Sequence, residues 1–217
     1  ADLGASFSAT YQGETVVDLW GGYLDLERTR PWQTDTLVNV YSTTKTMSFL
    51  CAMILADRGL LDFDAPVSRY WPEFAAGGKS GVLVWHLMNH AAGLSGTDER
   101  LAGDDLYDWD KVTDVLARQT PWWQPGSETG YHALTQGYLI GEVVRRITGQ
   151  TLGQFFAREV AEPLGADFFI GVPEAEFPRI GLLVPPPADG VLRGSGDADS
   201  MSVRTFRSTR TSALESH

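Results

Sequence analysis

Hydrophobic and polar positions alternate only near the start of the chain. The runs Phe7–Tyr11 and Thr15–Trp20 are rich in β-branched and aromatic residues, with Gln12-Gly13-Glu14 between them. This pattern predicts an antiparallel hairpin, ended by Gly21-Gly22. Val38–Tyr41 reads as a short extended approach to the next element. The period then becomes helical. Across Ser42–Arg58, Met47, Leu50, Cys51, Ile54 and Leu55 follow the i, i+3, i+4 rule, while Phe49, Ala52, Met53 and Ala56 fill much of the other side. A helix apolar nearly all round is expected to be buried, and Gly59 stops it. Further helices are predicted over Val82–His90, Trp109–Gln119 and Leu134–Ile147, and from a Thr151 cap through Val160 to just before Pro163. After Val184 the periodicity ends, and Pro185-Pro186-Pro187 opens a stretch rich in Gly, Ser, Thr and Arg. The layout is α+β, with a globular portion over 1–184 and an irregular tail over 185–217.

Composition narrows the partners. Hydrophobic residues make up 43% and charged residues 21%, as in folded chains. The net charge of -11 argues against nucleic acid and against an anionic membrane surface. No run is apolar for long enough to predict a membrane span. Cys51 is the only cysteine, so neither an intrachain disulfide nor a thiolate metal cluster is expected. With no visible signal peptide, a cytoplasmic location is expected, unless a leader precedes Ala1.

One short motif changes the picture. Ser42-Thr43-Thr44-Lys45 is an S-x-x-K sequence at the mouth of the most apolar helix, in a chain whose only lysines are Lys45, Lys79 and Lys111. Helical spacing puts the serine hydroxyl and the lysine amine on one face. A serine alcohol is a weak nucleophile and needs a neighbour to take its proton. The helix N-terminus supplies positive potential for a developing oxyanion. An N-cap serine followed by a surface lysine has the same spacing, so the motif alone leaves both readings open. His86 and His90 stand at i and i+4, but no H-E-x-x-H pattern or third ligand accompanies them, so no metal is expected and hydrogen bonding around the Gly93 turn is. G-x-S-x-G, G-x-G-x-x-G and Walker patterns are absent. Asp104, Asp105, Asp108 and Asp110 read as a solvated loop leading into a helix.

Longer blocks carry a resemblance. Val40–Lys45 followed by Ala52–Val67, then Trp71-Pro72, Trp85–Leu94, Gln124-Pro125-Gly126-Ser127, Tyr131, Gly137-Tyr138, Thr148-Gly149 and Pro163-Leu164-Gly165 stand in the order found in one superfamily. Over about Thr10 to Gly171 the chain resembles the β-lactamase/penicillin-binding-protein-like serine hydrolases, on the branch of class C β-lactamases and family VIII carboxylesterases. The resemblance implies a β-lactamase/transpeptidase-like fold, an antiparallel sheet with a helical region, and a hydrolase that uses no cofactor. It implies Ser42 as nucleophile, Lys45 as its partner, and Tyr131 as the group that shuttles the proton to the leaving group. Tyr41, Trp122, Trp123 and Ala133 are the expected substrate contacts, although Trp122-Trp123 would serve equally as core.

Two departures qualify the activity that is expected. The lactamase pattern after the tyrosine is any residue, then asparagine; Ala133 stands there instead and cannot hydrogen-bond a β-lactam side-chain amide. The family's third motif, on a late strand lining the cleft, has no counterpart after Gly171, so the C-terminal strands are expected to be missing and the domain partial. The expected function is hydrolysis of a small-molecule ester, with β-lactams or D-amino-acid amides as related substrates, through an acyl-enzyme on Ser42. The alternative is a catalytically impaired module of the same fold that binds a ligand.

Overall fold

The structure is a computed structural model and describes residues 3–101, 103–184 and 200–208. The described residues divide into two units, 3–41 with 171–184, and 42–101 and 103–170 with 200–208.

The first unit is built on the expected hairpin. Strands β1 (Gly4–Tyr11) and β2 (Glu14–Gly22) pair antiparallel, with Phe7 opposite Leu19 and Ala9 opposite Val17. Gln12 and Gly13 both have positive φ (50° and 85°), the geometry of a tight two-residue turn whose twist suits its strands. The register shifts by one residue between Ala9 and Thr10, which lets Thr10 meet Thr15 and Tyr11 meet Glu14. Downstream, Leu37 bridges Ile180 in parallel, and the Arg179 guanidinium donates to the Asp35 carbonyl. Leu24 is buried, whereas Phe7, Leu19 and Trp20 on the hairpin stay exposed. The described residues contain these two strands only.

The second unit is helical. Helix α1 (Thr44–Asp57) follows a 3-10 turn, Tyr41–Thr43. Then come α2 (Val84–Met88), α3 (Trp109–Arg118), α4 (Thr135–Thr148), α5 (Leu152–Phe156), α6 (Glu162–Leu164) and α7 (Met201–Ser208). Three of the termini have a clear local cause. Asp108 accepts the Lys111 N–H at 3.0 Å and starts α3, which gives one member of the acidic run a capping role. Thr151 and Gln154 form a reciprocal capping box at the start of α5. Gly149, at φ 71°, ends α4. The core packs α1 against α4 and α5, with Leu55, Phe74, Leu87, Leu116, Leu139 and Phe155 fully enclosed.

Three expectations change. Helix α1 is not enclosed all round: Cys51, Ala52 and Leu55 are buried, but Met53 is 58% exposed, because α4 and α5 cover one side of it. Pro163 does not end the helix that Thr151 begins. A π-helical turn over Ala157–Ala161 widens the spiral and carries it on into α6, which accommodates a proline that has no N–H to give. Within the tail that was read as irregular, Met201–Ser208 forms α7, while the rest of that tail, 185–199 and 209–217, lies outside the described residues.

One buried cation helps to hold this unit together. Lys79 is fully buried, and its Nζ donates to the carbonyls of Ala76 (2.7 Å), Ala117 (2.8 Å) and Gln119. Burial pushes its pKa down to about 8. The lysine thus ties the turn after Ala76 to the C-terminus of α3, whose last carbonyls lack helical partners.

Candidate active site

The turn before α1 presents Ser42 to solvent, one helical turn ahead of Lys45. No side chain caps α1, and the Ser42 hydroxyl is engaged by two other side chains. The Tyr131 hydroxyl donates to Ser42 Oγ at 2.5 Å, and Lys45 Nζ donates to the same oxygen at 3.3 Å. Lys45 Nζ also donates to the Ala133 carbonyl at 2.8 Å and stands 5.0 Å from the centre of the Tyr131 ring. Between two hydroxyls the proton can sit on either oxygen, so the short Ser42–Tyr131 bond is a path for proton exchange. The bond to Ser42 pulls the Tyr131 phenol below its ordinary pKa; burial works the other way, and the Lys45 bond and charge reinforce the lowering. A serine oxygen, a phenol poised to ionise and a cation therefore meet at one exposed point.

The loop carrying Tyr131 is fixed from the turn after α2. Gly126 donates its N–H to the Ala91 carbonyl (2.9 Å), and Gly130 to the His90 carbonyl (3.1 Å). His132 is fully buried. Its Nε2 accepts the Leu94 N–H (3.1 Å), so Nδ1 carries the proton and donates to the Gly130 carbonyl at 2.5 Å. Burial pushes the His132 pKa down to about 4, against a smaller upward effect of the Gly130 bond, and His90 lowers it further. Thr135 Oγ1 donates to the Leu94 carbonyl at 2.6 Å and joins the start of α4 to the same turn. Gly93, at φ 75°, allows this assembly: a Cβ there would lie 2.7 Å from the Trp123 carbonyl. His86 serves its own helix instead, accepting the Leu83 N–H at Nδ1 (2.9 Å).

Beside Tyr131 lies a cavity of about 280 Å³, lined by Trp123, Glu128, Thr129 and Gly130 on one side and by Met201, Ser202 and Thr205 of α7 on the other. Helix α7 is held by two sets of contacts. The Ser95 and Thr205 hydroxyls bond at 2.7 Å. The Asp98 carboxylate takes the Trp122 indole N–H (2.9 Å) and pairs with Arg204, whose guanidinium stacks 4.1 Å over the Trp122 ring.

The sequence model of the beta-lactamase family matches residues 2–205. The chain belongs to the beta-lactamase family. It is 38% identical over 185 residues to the esterase/beta-lactamase LipL of Mycobacterium tuberculosis, covering 84% of this chain and 43% of LipL. A crystal structure of a family VIII carboxylesterase superposes with TM-score 0.81 at 50% identity, covering 85% of this chain and 51% of that one. A penicillin-binding protein homologue from Caulobacter crescentus also gives TM-score 0.81, at 42% identity, over 86% of this chain and 50% of its own. The chain thus spans about half the length of these relatives, and its beta-lactamase-like fold is α+β, as the sequence implied.

Within this family fold, the residues singled out by sequence fall in different places. Ser42, Lys45 and Tyr131 converge. Ala133 contributes its carbonyl to Lys45. Trp123 lines the cavity, whereas Trp122 works as the platform under Arg204. Tyr41 precedes Ser42 with φ 45°, its N–H bonded to Asn39 Oδ1 at 2.8 Å. Sequence reasoning missed His132 and the α7 wall, and gave His90 no link to Tyr131. A histidine directly after the motif tyrosine was the one visible signal for the first.

Proposed function

We propose that this protein is a serine hydrolase that cleaves small carboxylic esters through an acyl-enzyme on Ser42. The observation that carries the reading is the Ser42 hydroxyl held at 2.5 Å by Tyr131 and at 3.3 Å by Lys45. Tyr131, whose pKa is lowered by Ser42 and Lys45, first gives its own proton to solvent; Ser42 Oγ then attacks the ester carbonyl carbon while the Tyr131 phenolate takes the serine proton, and the carbonyl electron pair moves onto oxygen. The first turn of α1, with its N–H groups and positive dipole end, faces that oxyanion. Lys45 balances the negative charge as it passes between Oγ and Oη. Collapse breaks the bond to the alcohol oxygen, which takes the proton from Tyr131. Water then attacks the acyl group, gives its proton to Tyr131, and Ser42 leaves with that proton. No step needs a metal or an organic cofactor. Tyr131 also lines the cavity of about 280 Å³, at the small end for ligand pockets, which suits short esters.

Esters are favoured over β-lactams because Ala133 offers the site a carbonyl already committed to Lys45 and a methyl group that makes no hydrogen bond. The relatives named esterase and carboxylesterase support the same substrate class. The test is turnover of p-nitrophenyl butyrate and nitrocefin by the wild type and by Ser42→Ala. The reading expects a higher kcat/KM for the ester and loss of both activities in the variant. A Ser42→Ala protein working at the wild-type rate overturns the mechanism, and a preference for nitrocefin overturns the substrate class.

A further inference from the structure

His90 occupies a backbone conformation that an ordinary side chain avoids. It lies just past the end of α2 with φ 66°, in the left-handed region where glycine and asparagine are at ease. Its contacts show what a histidine adds there. The His90 carbonyl accepts the Gly130 N–H at 3.1 Å, and its Nδ1 accepts the His132 N–H at 3.1 Å. Its ring meets the Tyr131 ring edge-on, with centres 4.9 Å apart and planes at 60°. The backbone amides on both sides of Tyr131 therefore end on one residue, and the phenol ring leans on the imidazole of that residue. Tyr131 needs such a hold, because it is 47% exposed and burial does not fix it.

From this geometry we infer that His90 is the positioning residue for Tyr131, setting the phenol oxygen against Ser42 Oγ through two backbone hydrogen bonds and one ring contact. The inference rests on the reading of Tyr131 as the group that moves the proton. Proton transfer works only within hydrogen-bond reach, and a displacement of about 1 Å at a reacting group costs on the order of a hundredfold in rate.

The device works only while Nδ1 is unprotonated, since a protonated Nδ1 would turn a second N–H toward that of His132. Burial first, and then the Lys45 charge, hold His90 below the ordinary histidine pKa. Among the described residues the titratable groups around it are Lys45 on α1, Tyr131 and His132 on the loop, and His86 one turn back, which is turned to the Leu83 N–H. Burial and cationic Lys45 both favour the neutral form. Protonation of His90 in acid releases the His132 amide and with it the tyrosine.

The experiment compares wild type, His90→Asn and His90→Phe on p-nitrophenyl butyrate and on ethyl butyrate. A nitrophenolate leaves with little help, whereas an ethoxide must be protonated as it departs, so misplacing Tyr131 weighs most on the second ester. His90→Phe keeps a ring and removes the acceptor; its kcat/KM, which reports the acylation step, should fall at least about tenfold further on the ethyl ester than on the nitrophenyl ester. His90→Asn tolerates the backbone, presents an oxygen near the Nδ1 position and does not titrate. It should stay within about threefold of wild type on both esters, with the acid limb of its kcat profile moved to lower pH. Equal losses on both esters in the phenylalanine variant, or an asparagine variant with an unmoved acid limb, overturn the inference. If His90→Phe fails to fold, the asparagine acid limb decides alone. Labelling of wild-type Ser42 by a fluorophosphonate keeps the two readings apart: a wild type that neither labels nor turns over refutes the serine-hydrolase reading itself, whereas a wild type that labels and turns over leaves the His90 variants to decide the inference.

Discussion

His132 makes the most direct forecast about stability. It is fully buried, with both ring nitrogens committed to the backbone, Nε2 to Leu94 N–H and Nδ1–H to the Gly130 carbonyl. Its ordinary pKa of 6.5 is pushed down to about 4 by burial. Between those two values the unfolded chain binds a proton that the folded chain refuses, so stability rises with pH across the window. The contribution is whole above pH 6.5 and is lost as the pH falls to 4, and 2.5 decades of proton affinity correspond to about 3 kcal/mol. Burial also holds His86 and His90 low, so wild type should lose stability somewhat more steeply than one histidine requires. The perturbation is His132→Gln, which does not titrate. At pH 7.5 it should be less stable by about 1–3 kcal/mol, because the amide cannot serve the Leu94 N–H and the Gly130 carbonyl with the same geometry. Urea unfolding of both proteins from pH 7.5 to 4.5 measures the difference. The gap should narrow, and then close or reverse, as the pH falls. Parallel stability curves over that range would refute the account of His132 as a buried neutral imidazole.

Other substitutions separate chemistry from packing. Tyr131→Phe keeps the ring against His90 and removes one exposed hydroxyl, so kcat should fall about 10²–10⁴-fold while the melting midpoint hardly moves; a large drop in melting temperature would recast Tyr131 as structural. Lys45→Ala should cost a similar factor, and the double variant with Tyr131→Phe should be little worse than either single one; additive losses measured in a mutant cycle would argue against a shared proton path. Lys79→Met leaves three enclosed carbonyls short of a donor and should destabilise by about 2–5 kcal/mol without changing kcat of the folded fraction; calorimetry showing a neutral or stabilising effect would mean that relief of the buried charge outweighs the lost bonds.

What could be read from sequence, and what could not, follows from the range of the interactions. The hairpin turn at Gln12-Gly13, the periodicity of α1 and α4, and the stop at Gly149 are local, and they formed where composition placed them. Ser42 and Lys45 were visible for the same reason, since one helical turn separates them. Tyr131 lies 89 residues from Ser42, and only the resemblance to a family brought it forward. The roles of His90 and His132 depend on pairings about forty residues apart and on a left-handed backbone at His90 that no periodicity announces. The wall made by α7 sits in a polar stretch whose helix is fastened through Thr205, Arg204 and Trp122, contacts that hydrophobic patterning does not register. Pro163 misled because the stop rule assumes an α-turn, and here a π-turn takes up the missing N–H.

The central claim is covalent, and it is tested by trapping the intermediate. The protein is mixed with p-nitrophenyl butyrate, quenched in acid during turnover, and weighed intact before proteolysis and mapping. The account predicts a mass increase of one butyryl group located on Ser42, and none on a Ser42→Ala protein treated alike. Acyl transfer to another residue, or undiminished hydrolysis by Ser42→Ala, would contradict it.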